Sequence, residues 1–169
     1  NTPPTLNLST SRHANFLIVG AQKSGTTALA DYLRNHPSIV LPDAKELHFF
    51  DHDRKYVRGA HNYDEYHAAL GPVGIGQIVG EATPSYMFLQ GCAERIFSYN
   101  PKIRLIFILR DPSERAYSQW CMQRHRGRER LSFGEAIRTE TERSQSFSSA
   151  HEGKWCAYVA RGQYAQQIK

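Results

Sequence analysis

The residues best suited to chemistry fall in three short stretches. The first is Gly20-Ala-Gln-Lys-Ser-Gly-Thr-Thr27, two glycines spaced G-x-x-x-x-G around a lysine, directly after the apolar run Phe16-Leu-Ile-Val-Gly20. Glycine lets the backbone turn tightly, and a helix starting behind it leaves unpaired N–H groups facing an anion. In a P-loop NTPase the residue after the second glycine is the lysine that reaches the β- and γ-phosphates. Here that place holds Thr26 and the cation, Lys23, lies inside the loop, so it should meet a different part of a ligand. The second stretch is Leu109-Arg-Asp-Pro-Ser-Glu-Arg-Ala-Tyr-Ser118. An arginine at a strand end, with a hydroxyl on the following helix, suits a terminal phosphate that favours a planar, multi-donor partner. The third is Lys45-Glu-Leu-His-Phe-Phe-Asp51, where a carboxylate and an imidazole two residues apart offer general-base chemistry. In an extended segment Glu46 and His48 share one side while Leu47 and Phe49 face the other.

Strands and helices must carry these groups, and their signals alternate along the chain. Residues 1–15 read as an irregular arm. Phe16–Gly20 reads as a strand buried on both faces. Ala28, Leu29, Tyr32 and Leu33 have helical spacing within a helix from Thr26 to Asn35, and Asn35-His36-Pro37 stops it. Ser38–Asp51 is extended in character, and a weak helical pattern falls before Leu70. Gly71-Pro-Val-Gly-Ile-Gly76 breaks the chain ahead of a strand over Gln77–Glu81. Ile103–Leu109 predicts another buried strand. Behind it Asp111 reads as an N-cap, Pro112 as the first helical residue and Glu114 as the far end of a capping box. A second capping box, Ser132 with Glu135, opens a helix through about Arg143. A polar loop then covers 144–149, and a last helix starts near Tyr158. The pattern predicts an α/β, P-loop-like three-layer domain with a mostly parallel central sheet, ligands sitting at the carboxyl ends of its strands.

Composition sets outer limits. A chain of 169 residues with 40% hydrophobic content can bury one core but not two. No run approaches the roughly 18 apolar residues of a membrane span, and the N-terminus lacks a basic-then-apolar leader pattern. Twenty-one Lys and Arg against 16 Asp and Glu leave a net charge of +5, compatible with an anionic ligand but not diagnostic of nucleic acid, nucleotide or sulfated sugar. The three cysteines are an odd number without a C-x-x-C pair, which argues against a disulfide scaffold and a structural zinc site and favours a reducing, cytoplasmic setting. His48-x-x-Asp-His52 faintly resembles an inverted zinc-ligand pair, but that pattern needs a helix, so no metal is expected. The run Arg124-His-Arg-Gly-Arg-Glu-Arg130 reads as a solvated helix end in preference to an anion site.

Phe16–Thr27 resembles the 5′-phosphosulfate loop of PAPS-dependent sulfotransferases, where PAPS is 3′-phosphoadenosine-5′-phosphosulfate, and the heparan-sulfate-type and bacterial branches match best. The resemblance implies that Lys23 contacts the oxygen bridging phosphate and sulfuryl group, and that Ser24, Gly25, Thr26 and Thr27 bind the 5′-phosphate. Arg110-Asp-Pro-Ser-Glu-Arg-Ala-Tyr-Ser118 is similar to the family's 3′-phosphate element, which assigns that phosphate to Arg110 and Ser118 and leaves Arg115 a structural arginine. In Lys45–Asp51 the family places its catalytic base at Glu46, with His48 as an assisting or substitute base. Glu81-Ala-Thr-Pro-Ser-Tyr86 is similar to a stretch that carries a second lysine in heparan sulfate 3-O-type enzymes, here Ala82; Glu81 itself stands as a candidate to orient the base or Lys23.

The implied function is metal-free transfer of a sulfuryl group from PAPS, with PAP as product, to a hydroxyl or amine. The acceptor is a carbohydrate, a carrier-bound acyl chain or a small natural product, with no role for nucleic acid. A nucleoside-phosphate kinase and a non-enzymatic polyanion-binding module are the rival readings. Arg161-Gly-Gln-Tyr164 resembles the start of a helix that precedes a further strand in these enzymes. The expectation is therefore a single sulfotransferase domain over 1–169, an N-terminal portion incomplete at its C-terminus and weak or inactive alone. A lumenal catalytic domain of a membrane-anchored enzyme is the alternative to a cytoplasmic one.

Overall fold

A computed structural model describes residues 13–53, 56, 61–146 and 153–168. The arm expected over 1–15 lies mostly outside these residues, and of it Ala14 is buried. The elements are β1 (Phe16–Gly20), α1 (Thr26–Arg34), β2 (Ile39–Val40), α2 (Tyr63–Leu70), β3 (Ile78–Ala82), α3 (Cys92–Tyr99), β4 (Arg104–Phe107), α4 (Pro112–His125), α5 (Phe133–Arg138) and α6 (Glu140–Gln145), followed by a 3₁₀ turn (Ala160–Gly162) and α7 (Tyr164–Gln167).

The strands pair in the order β2-β3-β1-β4, every neighbour parallel. A parallel strand between two others must be apolar on both faces, and β1 is buried at all five positions. Phe16 and Ile18 pack on one side with Ala30 and Leu41. Leu17 and Val19 pack on the other with Tyr66, Leu70, Cys92 and Ile96. Alternating side chains of one strand thus join α1 to one face of the sheet and α2 and α3 to the opposite face, giving the three layers. Leu17 and Ile18 are fully buried, each worth about 1.5–3 kcal/mol relative to exposure. Gly80 is required by close approach, because a Cβ there would fall 2.3 Å from the Phe16 ring.

Several local expectations change. The extended stretch over 38–51 contracts to the two-residue β2, since residues 44–48 form a loop with left-handed backbone at Glu46 and His48. Asp111 does cap α4, accepting from the Ser113 and Glu114 amides at 2.9 and 3.0 Å. Glu114 does not complete the box, because its carboxylate takes the Arg110 Nε–H at 3.0 Å. The capping box at Ser132 and Glu135 is complete. Its helix breaks at Thr139, where Glu140 turns inward to accept the amides of Tyr158, Val159 and Ala160 at 2.9, 2.7 and 2.9 Å. The loop expected over 144–149 begins as the end of α6, and its residues 147–149 lie outside the described residues. The helix expected from Tyr158 is a 3₁₀ turn and then α7, since Arg161 is drawn inward to lie 4.4 Å over the Phe88 ring. Helix α3 had no expectation at all.

Candidate functional site

β1 and β4 are adjacent and parallel, so the turns after them emerge side by side. Their pairing runs on past the strands, with Ala21 N–H donating to Ile108 O and Ile108 N–H to Gly20 O, both at 2.8 Å. The Arg110 guanidinium then reaches back to Lys23 O at 3.4 Å and ion-pairs with Glu114, while Tyr164 O–H donates to Arg110 O at 2.9 Å. Lys23 and Arg110, 87 residues apart, therefore share one edge of the sheet. Ser118 lies on α4, the helix that follows the Arg110 turn, about 9 Å past its start and half-buried.

The Gly20–Thr27 loop is built to receive an anion. Gly25 caps α1 from the left-handed region, at φ 96°, with no side-chain cap, and a Cβ built on it meets nothing within 4 Å. The first amides of α1 are thus left to a ligand, where the helix dipole favours negative charge. Ser24 Oγ is buried without a partner among the described residues, and Thr26 is buried beside it. These donors fit a phosphate.

Opposite that helix start, a cleft is lined by Thr26, Thr27, Lys45, Glu46, Ala82 and Pro84, which brings the third stretch to the first. Glu46 Oε2 lies 3.4 Å from His48 Nε2. His48 Nδ1 lies 2.8 Å from Asp51 Oδ2, which also accepts from Ser85 Oγ at 2.6 Å. With both ring nitrogens directed at carboxylates, His48 is doubly protonated. The hydrogen bonds to Asp51 and then Glu46 raise its pKa to about 9, overcoming burial. The same bond from His48 holds Glu46 below the usual carboxylate range, against burial. Burial pushes Asp51 up, but the hydrogen bonds from His48 and Ser85 outweigh it and leave the group ionised. Glu46 and His48 do share a side, as the spacing suggested, but through two left-handed residues instead of strand alternation.

Asp51, Ser85 and Arg161 were missed as site residues. The signal for Asp51 was the His48-x-x-Asp spacing, read as part of a metal pattern. Residues 48–52 are not helical, and among the described residues no group of three His, Cys, Asp or Glu is placed to hold a metal. Arg161 is buried, and burial, with the nearby Arg115 charge, lowers its pKa to about 9 although Asp51 and Glu46 favour its charge. Arg115 is structural but not a surface residue: it is fully buried, donating to Gln119 Oε1 at 2.7 Å and to Tyr158 O. The 124–130 arginines are exposed, while Glu129 turns inward to Tyr158 and Arg143. Glu81 is fully buried, and its carboxyl takes the hydroxyls of Tyr66, Thr83 and Tyr86, two of which reach the Glu46–Phe50 loop.

The His48 contacts carry a pH signature. Its folded-state pKa lies above its ordinary value, so its stabilising effect is complete below pH 6.5 and is lost as pH rises through about 9. The side chain is 45% exposed, so screening keeps the effect modest. The melting-temperature gap between wild type and His48→Asn is expected to shrink across that window; asparagine is chosen because it tolerates the left-handed backbone. A gap constant with pH would remove the charged-imidazole assignment.

A parallel α/β sheet, with two turns at neighbouring strand ends and a helix start whose amides are open to an anion, defines a P-loop-like α/β fold. The family model for the sulfotransferase domain matches residues 13–169, and the chain belongs to that family. It is 37% identical over 106 residues to membrane-associated sulfotransferase kil1 of Dictyostelium discoideum, covering 63% of this chain and 22% of that protein. It is likewise 37% identical over 104 residues to heparan sulfate glucosamine 3-O-sulfotransferase 5 of Mus musculus, covering 62% and 29%. The solved sulfotransferase of Alicyclobacillus acidocaldarius superposes with a TM-score of 0.77 at 34% identity, over 92% of this chain and 66% of that one. The chain thus spans about a quarter of the length of these curated relatives. Among the described residues no helix is long and apolar enough to cross a membrane, and Cys92, Cys121 and Cys156 are free thiols.

Proposed function

We propose that this chain carries the donor-binding and base-bearing part of an enzyme that transfers a sulfuryl group from PAPS to an acceptor hydroxyl. The observation that carries the reading is the meeting of the Lys23 loop and the Arg110 turn at one sheet edge, with Glu46 across the cleft from the start of α1. When bound, PAPS supplies the sulfuryl group, whose bond to the 5′-phosphate oxygen breaks as the bond to the acceptor oxygen forms. Ser24, Gly25, Thr26 and Thr27 hold the 5′-phosphate through the open helix start, and Arg110 with Ser118 holds the 3′-phosphate. Lys23 stands where negative charge grows on the leaving oxygen. Glu46 takes the acceptor proton. Its Oε2 is turned to His48, and its Oε1 makes no hydrogen bond among the described residues, which leaves that oxygen to accept. His48, already protonated at neutral pH, supports an electrostatic role and not a rival base. A base opposite the lysine suits in-line displacement.

The relative named for heparan sulfate glucosamine supports a carbohydrate acceptor, and carrier-bound acyl chains and small natural-product alcohols complete the panel to be tried. Ala82 lines the cleft where the 3-O-type resemblance would place a second lysine, which favours a less anionic acceptor than heparan. The free thiols support a cytoplasmic setting and the membrane-associated relative a lumenal one; cell fractionation separates these. The test of the reaction is mass spectrometry of the full-length protein with PAPS, chelator and the acceptor panel. A product heavier by one sulfuryl group is expected; phosphorylation of the panel in a parallel reaction with ATP and Mg²⁺ and without chelator, in place of that product, would establish the kinase reading.

A further inference from the structure

Glu46 and His48 hold φ of 59° and 52°, a left-handed region that L-residues adopt only when their surroundings over-determine it. The amides that follow show what does so. His48 N–H donates to Thr83 Oγ1 at 3.4 Å, and Phe49 and Phe50 N–H both donate to the Tyr86 hydroxyl oxygen, at 2.9 and 3.3 Å. A hydroxyl oxygen receives such bonds dependably when its own proton is committed elsewhere. Both protons go to one atom: Thr83 donates to Glu81 Oε1 at 2.5 Å and Tyr86 donates to it at 2.6 Å. The other oxygen, Oε2, meets the Tyr66 hydroxyl at 2.6 Å.

We propose that Glu81 is a positioning residue for the Glu46–His48 turn: its Oε1 takes the Thr83 and Tyr86 protons and so aims both hydroxyl oxygens at the His48, Phe49 and Phe50 amides. Its meaning for turnover rests on the reading of Glu46 as base. The polarity of the relay does not depend on the charge of Glu81. Burial raises the pKa of this fully buried carboxyl, against its three hydroxyl neighbours. Should it be protonated, the proton sits on Oε2 toward Tyr66 and Oε1 still accepts twice. The network is also what makes Thr83-Pro-Ser-Tyr86 part of the site: Ser85, between the two relay hydroxyls, donates to Asp51, so one turn after β3 grips the base loop at both ends.

Tyr86→Phe keeps the ring and deletes the arm of the relay that holds the Phe49 and Phe50 amides. It is expected to lower kcat about 10- to 100-fold, the cost of a base displaced by about 1 Å, with KM for PAPS within about twofold. By NMR titration without substrate, the His48 pKa is expected to fall from about 9 toward 6.5, because the turn no longer holds the ring between its two carboxylates. Tyr66→Phe removes a comparable buried hydroxyl that touches no loop amide and should do neither. Glu81→Gln retains Oε1 as an acceptor and should preserve the His48 titration, whereas Glu81→Leu should reproduce Tyr86→Phe. An unchanged His48 titration in Tyr86→Phe, or an equal change in Tyr66→Phe, overturns the proposal. A shifted titration in a protein that transfers no sulfuryl group keeps the relay and removes the base assignment alone.

Discussion

Glu46→Gln is expected to lower kcat by about 10²–10⁴-fold, the range over which a positioned base contributes, while PAP affinity stays within about twofold. Glutamine has the same size and branching, so the left-handed backbone at residue 46 costs it no more than glutamate. What it lacks is a basic oxygen. Among the described residues no other ready acceptor faces the cleft: His48 is protonated at neutral pH, and Asp51 is buried behind it, committed to His48 and Ser85. The nucleotide contacts proposed above lie on other loops, around Lys23 and Arg110, so binding should survive. The Glu46 carboxyl is held low by His48, so it is ionised throughout the neutral range, and the acid limb of the kcat profile should fall below the usual glutamate range. Steady-state turnover with calorimetry of PAP on the same preparations decides the matter. Turnover within tenfold of wild type would place the base elsewhere, and unaltered properties of every kind would favour the polyanion-binding module.

Lys23→Ala should cost about 10²–10³-fold in kcat, the typical effect of deleting a preorganised group beside developing negative charge. Lys23 stands at φ 70°, and alanine carries the same Cβ, so the backbone strain is unchanged. Arg110→Ala tests the other half of the nucleotide. Removal of a charge-assisted hydrogen bond worth about 1.5–3 kcal/mol should weaken PAP about 10- to 100-fold, with a smaller effect on kcat at saturation. The two variants thus separate along kcat and affinity, although the side chains meet at the Lys23 carbonyl. Unchanged PAP affinity in both would end the sulfotransferase reading of this edge.

Both strand-to-helix turns proposed to hold phosphate were legible because every signal in them is local. Phe16–Gly20 is apolar without a break, glycine bounds the loop, and Asp111-Pro112 starts a helix at a place the capping geometry keeps. The third stretch was legible in residue type only. Glu46 and His48 stood out, yet the extended backbone assigned to them was wrong, because their conformation depends on Thr83, Ser85 and Tyr86, more than 30 residues away. Helix α3 passed unnoticed, having no side-chain cap and only eight residues. Arg115 is structural, as the motif implies, but its depth was not legible, since nothing nearby reveals that the backbone near Tyr158 folds over it.

By itself the sequence determined which residues could bind an anion, which could take a proton, and that strands must alternate with helices, because periodicity, glycine and capping act within a few residues. Only the tertiary structure decided that Lys23 and Arg110 share an edge, that Asp51 charges His48, and that the buried Glu81 carboxyl takes the hydroxyls of Tyr66, Thr83 and Tyr86. Those outcomes depend on the parallel register that sets β3 and β4 on either side of β1, and on burial, which makes each buried polar group find a partner wherever the chain brings one.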